Sequence, residues 1–292
     1  MAIGINIASC QNPAALRQRL TDELNYLREQ GLEVSIYEIE RGQLTFLGCN
    51  IEQSQVAIPL EYAEELLRHF LANVLADIII TNFEGKLVRK LVEEKYHKFS
   101  VEEREKIIDL ALRNSNHGLQ ISERHAKIVS KLVDYLDCYN TIILEGFIRF
   151  RLQDYQQELK EAISRAADDI EDEKEYQEFI QLLRYFISLQ ESAWSVIQVL
   201  PKVDGGFQLL DEKSQFLKFE SLWDDIESYE DLTYGDMLIS TLVCLSPATI
   251  ILHMGSHAQI LTKELVATIQ DIFRGRVSFC LGCSVCQERY KL

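Results

Sequence analysis

The sequence predicts an α+β fold, with a mostly helical middle set between a small N-terminal β-α-β-β unit and a C-terminal β-hairpin plus α/β unit. Three observations carry this. None of the prolines, Pro13, Pro59, Pro201 and Pro247, falls between residues 60 and 200, and only Gly85, Gly118 and Gly146 interrupt that stretch. Proline and glycine are the strongest helix breakers, so a long region nearly free of both is helical. Before residue 55 and after residue 193, short apolar runs alternate with turn residues, as strands do. The expected regions are therefore 1–55, 56–192 and 193–292.

At the N-terminus, Ile3, Ile5 and Ile7 alternate with small or polar residues, the period of a strand. Asn12-Pro13 has the form of a helix cap followed by proline at the first helical position. Leu16, Leu20, Leu24 and Leu27 carry that helix onward, and Gly31 stops it. Val34 and Ile36 begin a second strand; Leu44 and Phe46 begin a third after a turn at Arg41-Gly42. In the middle, Ser100 and Glu103 form a capping-box signature ahead of Ile107, Ile108, Ala111 and Leu112. Ile121, His125, Ile128, Leu132 and Tyr135 recur at helical spacing, and Phe179, Leu182, Leu183, Phe186 and Leu189 share one helical face. The acidic run from Asp168 to Glu175 is a solvated helix face or loop.

Toward the C-terminus, Val196 to Leu200 and Phe207 to Leu210 flank Asp204-Gly205-Gly206, a hairpin turn. Phe216 to Phe219 offers a further strand. Thr233 and Asp236 start a helix through Leu238, Leu242 and Leu245, which Pro247 ends. Thr249 to His253 is a strand, Thr262 to Phe273 an amphipathic helix stopped by Gly275, and Val277 to Cys280 a final strand.

The chain has 292 residues and a formal net charge of -16. So acidic a surface repels phosphate backbones, which disfavours nucleic acid as a partner. No uninterrupted apolar run reaches the roughly 18 residues that span a bilayer, and Met1 to Gln11 lacks the basic start and apolar core of a signal peptide. The expectation is a cytoplasmic protein with no membrane partner. Of the seven cysteines, Cys10, Cys49, Cys138 and Cys244 are scattered among apolar residues and read as small core residues in a reducing compartment.

The other three form Cys280-x-x-Cys283-x-x-Cys286. A strand, crossover helix and strand in one sheet run parallel, so both strands finish at the same edge. His253 ends the first and Cys280 the second, and open α/β sheets bind ligands at that edge. His257 lies in the intervening loop, just before a helix N-terminus. Three thiolates and one imidazole make a common structural zinc site, so Cys280, Cys283 and Cys286 with His253 or His257 are the candidate metal ligands. An iron–sulfur cluster fits less well, because the ferredoxin run has a fourth cysteine and a proline where this chain has Gln287-Glu288-Arg289. A Cys-x-x-Cys redox pair is a further alternative. Elsewhere, Glu145 and Arg149 stand four apart within the apolar stretch from Ile142 to Leu152, as a buried ion pair or, by the plainer reading, a helix edge whose arginine stem covers apolar surface. His125 reads as a boundary histidine, and His69, His97 and His117 lack metal-spaced companions. Ser256-His257 pairs a nucleophile with a base by adjacency alone. No phosphate-binding glycine loop, nucleophile elbow or HExxH run is present, so no catalytic residue and no cofactor site are assigned.

The segment Leu144 to Tyr155 (LEGFIRFRLQDY) and the earlier helix Asp77 to Lys90 (DIIITNFEGKLVRK) resemble the sporulation protein YtxC family. Members occur in endospore-forming Firmicutes. The resemblance implies a sporulation-associated cytoplasmic protein and carries no activity, substrate or catalytic residue with it. With the catalytic motifs missing, the expectation is action through protein contacts. The alternative is a metal- or thiol-dependent enzyme or sensor built on the cysteine cluster.

Overall fold

A computed structural model describes residues 4–9, 13–29, 34–42, 44–51, 59–115, 118–202, 206–217, 233–254, 261–280, 282–283 and 286. The chain divides into two compact units, Met1–Asp172 and Glu173–Leu292.

The first unit begins with β1 (Ile5–Ala8), α1 (Pro13–Glu29), β2 (Val34–Arg41) and β3 (Leu44–Ile51). These are the elements the N-terminal pattern predicts; Asn12 and Gly31, read as their cap and stop, lie outside the described residues. The sheet order is β2-β3-β1-β4, with β4 (Thr141–Ile143) parallel to β1 and the other pairs antiparallel. β4 is a short strand within the mostly helical middle, recruited from far along the chain, and helix α6 (Leu144–Arg151) starts directly after it.

The helical layer contains α2 (Leu60–Ile78), a π-helical turn (Ile79–Phe83) and α3 (Glu84–Lys95), then α4 (Val101–Ser115) and α5 (Gly118–Cys138). Ser100 and Glu103 close the expected capping box: the Glu103 N–H donates to Ser100 Oγ and the Ser100 N–H to Glu103 Oε2. Leu16, Leu20 and Leu24 of α1, Leu67, Leu71 and Leu75 of α2, and Ile128, Leu132 and Leu136 of α5 share one apolar core with the sheet. By length and composition the stretch Glu61–Lys95 could cross a membrane; half of its most apolar window is buried within the unit, the pattern of a core helix. The acidic run lies on α7 (Gln153–Leu189), with Asp168 to Glu175 exposed apart from Ile170 at intermediate exposure.

The second unit takes the last part of α7 and adds β5 (Val196–Pro201), β6 (Phe207–Leu210), α8 (Tyr234–Leu245), β7 (Thr249–His253), α9 (Lys263–Ile272) and β8 (Val277–Cys280). Its sheet order is β6-β5-β7-β8, so the two ends of the chain build separate sheets. β6 pairs antiparallel with β5, whereas β5, β7 and β8 run parallel. Phe216 forms an isolated bridge to Leu210, and Lys218 and Phe219, the second half of the expected strand, lie outside the described residues. Thr233 and Asp236 make a full capping box for α8, and Gly275, at φ 75°, takes the left-handed conformation that ends the α9 segment.

One expectation about burial is corrected: Cys49 is buried, but Cys138 and Cys244 are exposed, and Cys10 lies outside the described residues. The stripe Phe179, Leu182, Phe186 and Leu189 is exposed. The side of α7 that enters the core carries Ile180 and Ile187 instead, with Tyr176 and Leu183 packed beside them.

Candidate metal centre

The parallel pairing of β7 and β8 sets His253 opposite Cys280 in register. Parallel partners in register project to the same face, so imidazole and thiol leave the sheet together. The Met254 N–H donates to the Cys280 carbonyl at 3.1 Å and closes the ladder beyond the last pair. Cys283 and Cys286 then return to that edge. Cys286 Sγ lies 3.1 Å from His253 Nδ1, 3.7 Å from Cys283 Sγ and 4.0 Å from Cys280 Sγ; Cys283 Sγ lies 3.7 Å from His253 Nδ1. All four ligand atoms fall within 4.8 Å of one another. His257 lies outside the described residues, so the fourth position belongs to His253 in this arrangement.

These separations carry chemical information. A tetrahedral zinc with Zn–S near 2.3 Å places its thiolates about 3.8 Å apart. The separations of the Cys286 sulfur from those of Cys283 and Cys280, 3.7 and 4.0 Å, are close to that edge length, and all six cysteines among the described residues are free thiols. An iron–sulfur cluster attaches its ligands to different metal atoms and holds them wider apart, so the spacing favours a single ion. His253 and Cys286 are buried while Cys280 and Cys283 are half-buried, giving a closed four-ligand set of the structural kind.

Gln198 decides which imidazole nitrogen faces the sulfurs. It lies on β5, opposite Ile251 in register and on the same sheet face as His253. Its Nε2 donates to the Asp211 carbonyl at 2.9 Å, which turns Oε1 toward His253 Nε2 at 3.0 Å. A carbonyl oxygen only accepts, so Nε2 carries the proton and Nδ1 presents its lone pair to the cysteines. Burial also lowers the His253 pKa and keeps the ring neutral. Burial pushes the Cys286 thiol up to about 11. Without a cation the Cys286 thiol is therefore protonated, and a metal ion must displace its proton to bind there. Gln198 escaped the sequence reading, although a lone glutamine inside Val196–Pro201 was the available signal.

The other polar groups behave differently. Ser9 Oγ donates to Glu145 Oε1 at 2.7 Å, while Arg149 is exposed with its guanidinium over the Phe150 ring, 5.4 Å from the centroid. The plainer reading of Glu145 and Arg149 therefore holds. His125 is half-buried with Nε2 3.2 Å from Asp77 Oδ1; it lines, with His69 and Asn73, an open groove of about 440 Å³. A second buried group was missed. Tyr155 donates to Glu84 Oε2 at 2.6 Å, and Arg124 donates to the same oxygen at 3.2 Å, all three residues being buried. Burial, then the Glu84 charge, raises the Tyr155 pKa and keeps it a donor. The signal lay in phase: Arg124 falls on the same α5 stripe as Ile121 and Ile128.

Glu84 and Tyr155 also lie in the two segments that carry the family resemblance, so those segments meet in space. The profile of the YtxC-like family matches residues 69–278, a span that includes Gln198 and His253 and ends before Cys280. The uncharacterized protein YtxC of Bacillus subtilis (strain 168) is 23% identical over 241 residues, covering 78% of this chain and 79% of that protein. No solved structure matches significantly. With the profile covering well over half of its length, the chain belongs to the YtxC-like family.

Proposed function

We propose that the protein is a non-catalytic, sporulation-associated protein of the cytoplasm that acts through contacts with other proteins, its C-terminal unit held by one zinc ion on His253, Cys280, Cys283 and Cys286. The observation that carries the metal part is the gathering of four ligand atoms within 4.8 Å. Zinc suits the set because thiolate and imidazole are its preferred ligands and a closed tetrahedron is its structural geometry. A reducing cytoplasm suits it too, since thiols must stay reduced to bind. The sporulation setting rests on the family resemblance, and the protein-contact role on the absence of a catalytic motif in the sequence.

The test is elemental analysis of protein purified without oxygen. About one zinc per chain, lost in Cys283→Ser, supports the reading. A metal-free protein whose stability is unchanged by that substitution overturns it. Cobalt substitution gives a second readout: tetrahedral Co(II) with thiolate ligands shows visible d–d bands and a thiolate charge-transfer band, both of which Cys286→Ser weakens.

A thiol-dependent sensor is the second reading, favoured by the partial exposure of Cys280 and Cys283. It predicts a zinc-free protein that forms and releases a disulfide between two of the three cysteines under mild oxidant and reductant.

A further inference from the structure

The last four turns of α7 carry two apolar stripes, and only one enters the core. Ile180 and Ile187 are buried, and the helix is pinned on that side by Tyr176, which donates to Thr268 Oγ1, and by Arg184, which donates to the Asp271 carbonyl. On the other side Phe179, Leu182, Tyr185, Phe186 and Leu189 are 55%, 65%, 66%, 47% and 66% exposed. At 100° per residue these five lie within an arc of about 120°. Phe179, Leu182, Phe186 and Leu189 follow the alternating three- and four-residue step of a helix–helix seam. With aromatic side chains of 150–250 Å² each, the exposed area is roughly 500 Å², as large as the patches that mark interaction sites on monomers.

The charge around the seam selects what covers it. Glu175 and Glu178 are exposed and stand four residues before Phe179 and Leu182, so they extend the same seam toward the helix N-terminus. At the other end the last turn holds no basic residue, the helix carbonyls carry partial negative charge, and Glu191 is exposed. The apolar seam is thus bounded by negative charge at both ends. A second copy of this chain fits poorly. Aligned parallel, it sets Glu175 and Glu178 against themselves; aligned antiparallel, it sets Glu178 against the other helix's carbonyl end. An anionic lipid surface is repelled for the same reason.

We infer that this face of α7 docks an amphipathic α-helix of another protein, one whose apolar seam is flanked by lysine or arginine. The inference gives the protein-contact reading above a surface and a partner chemistry, and it is independent of the metal. The probe is a fluorescently labelled synthetic helix of three heptads with Leu at a and d and Lys at e and g, titrated into the full chain. Binding is expected at micromolar concentration, weakened several-fold when salt rises from about 50 to about 300 mM. Leu182→Glu is expected to weaken it at least tenfold; Phe150→Ala, at an exposed aromatic in the first unit, leaves it unchanged. Leu182 is exposed, so the charge is accepted without unfolding, and an unchanged melting curve verifies this. A matched peptide with Glu at e and g is expected to bind at least tenfold more weakly.

Three results overturn the inference: no binding of the Lys peptide at about 100 μM, equal binding of both peptides, or equal binding by Leu182→Glu. A chain that sediments alone as a dimer, and as a monomer after Leu182→Glu, also overturns it in favour of self-association. Zinc content is measured on the same samples, so lost peptide binding with zinc intact bears on this face alone.

Discussion

Both sheets end a parallel pair of strands with polar side chains, yet the two edges do opposite things. In the N-terminal sheet, β1 and β4 lead into Ser9 and Glu145, and the hydroxyl donates to the carboxylate. In the C-terminal sheet, β7 and β8 end on His253 and Cys280, and the sulfurs of Cys283 and Cys286 gather on the Nδ1 side of the imidazole. Glu84, Arg124 and Tyr155 repeat the first pattern inside the helical layer, an acceptor shared by two donors. Donors and acceptors that meet satisfy one another. Lewis bases that meet do not, because three thiolates and a neutral imidazole gain by sharing a cation. The same sheet edge thus serves as a structural lock in one unit and a candidate metal centre in the other.

The largest expected effect tests that distinction directly. Structural zinc sites contribute folding free energy outright, so stripping zinc or substituting Cys286→Ser is expected to lower the unfolding temperature of residues 173–292 by more than about 10 °C. Hydrogen exchange should show lost protection in β7 and β8, with the first unit unaffected; equal loss in both units would break the comparison. Zinc addition to metal-free protein at pH 7 should also release protons, because Cys286 titrates near 11 and is protonated beforehand. The sign follows: apparent zinc affinity falls as pH falls, since protons compete for the thiolates. A competition assay with a chromophoric chelator that shows no pH dependence would remove the thiolates from the ligand set.

Next in size is Glu84→Ala. Removing one partner of a buried ion pair leaves the other charge buried and costs about 3–5 kcal/mol. Arg124 and Glu84 have side-chain exposures of only 7% and 3%, so this cost is not screened away by solvent. Chemical denaturation of the variant measures it, with zinc content expected to stay unchanged.

Much of this was legible before the fold was known, and the reason is local chemistry. β7, α9 and β8 were marked by Pro247, by the amphipathic spacing from Thr262 to Phe273 and by Gly275, and their order pointed to the convergence of His253 and Cys280. The N-terminal elements were marked as clearly by alternating isoleucines and a leucine stripe. What escaped depended on contacts remote in sequence. β4 is a three-residue strand whose parallel partner lies more than 130 residues earlier, too short to show a period. On α7 both stripes have helical spacing, and the larger, more aromatic one lies outside while two isoleucines enter the core. Periodicity identifies faces; only the packed structure says which face is covered. Gln198 and Arg124 were hidden by the company of apolar neighbours, yet that company is the clue, because a polar side chain kept in a buried stripe needs a partner.

Gln198→Ala sharpens the comparison from within the metal site. Residues that orient a ligating histidine affect affinity less than the ligands do, commonly by 10–100-fold. The variant should still bind one zinc at saturation and lose affinity by about that factor. An unchanged affinity would mean that the cysteines alone set the geometry and that the Gln198–His253 contact only packs the strand edge.

The smallest effect belongs to the lock. Ser9 is 4% exposed, and its hydroxyl bond to Glu145 spans the ends of β1 and β4. Replacing Ser9 by alanine removes one donor from a carboxylate and costs about 1–3 kcal/mol, the range for losing a partner of a charged acceptor. The loss should fall on the first unit alone, measured as earlier denaturation with no change in metal content. A Ser9→Ala variant as stable as the unaltered chain would show that the hydroxyl bond between the strand ends contributes nothing net to the first unit.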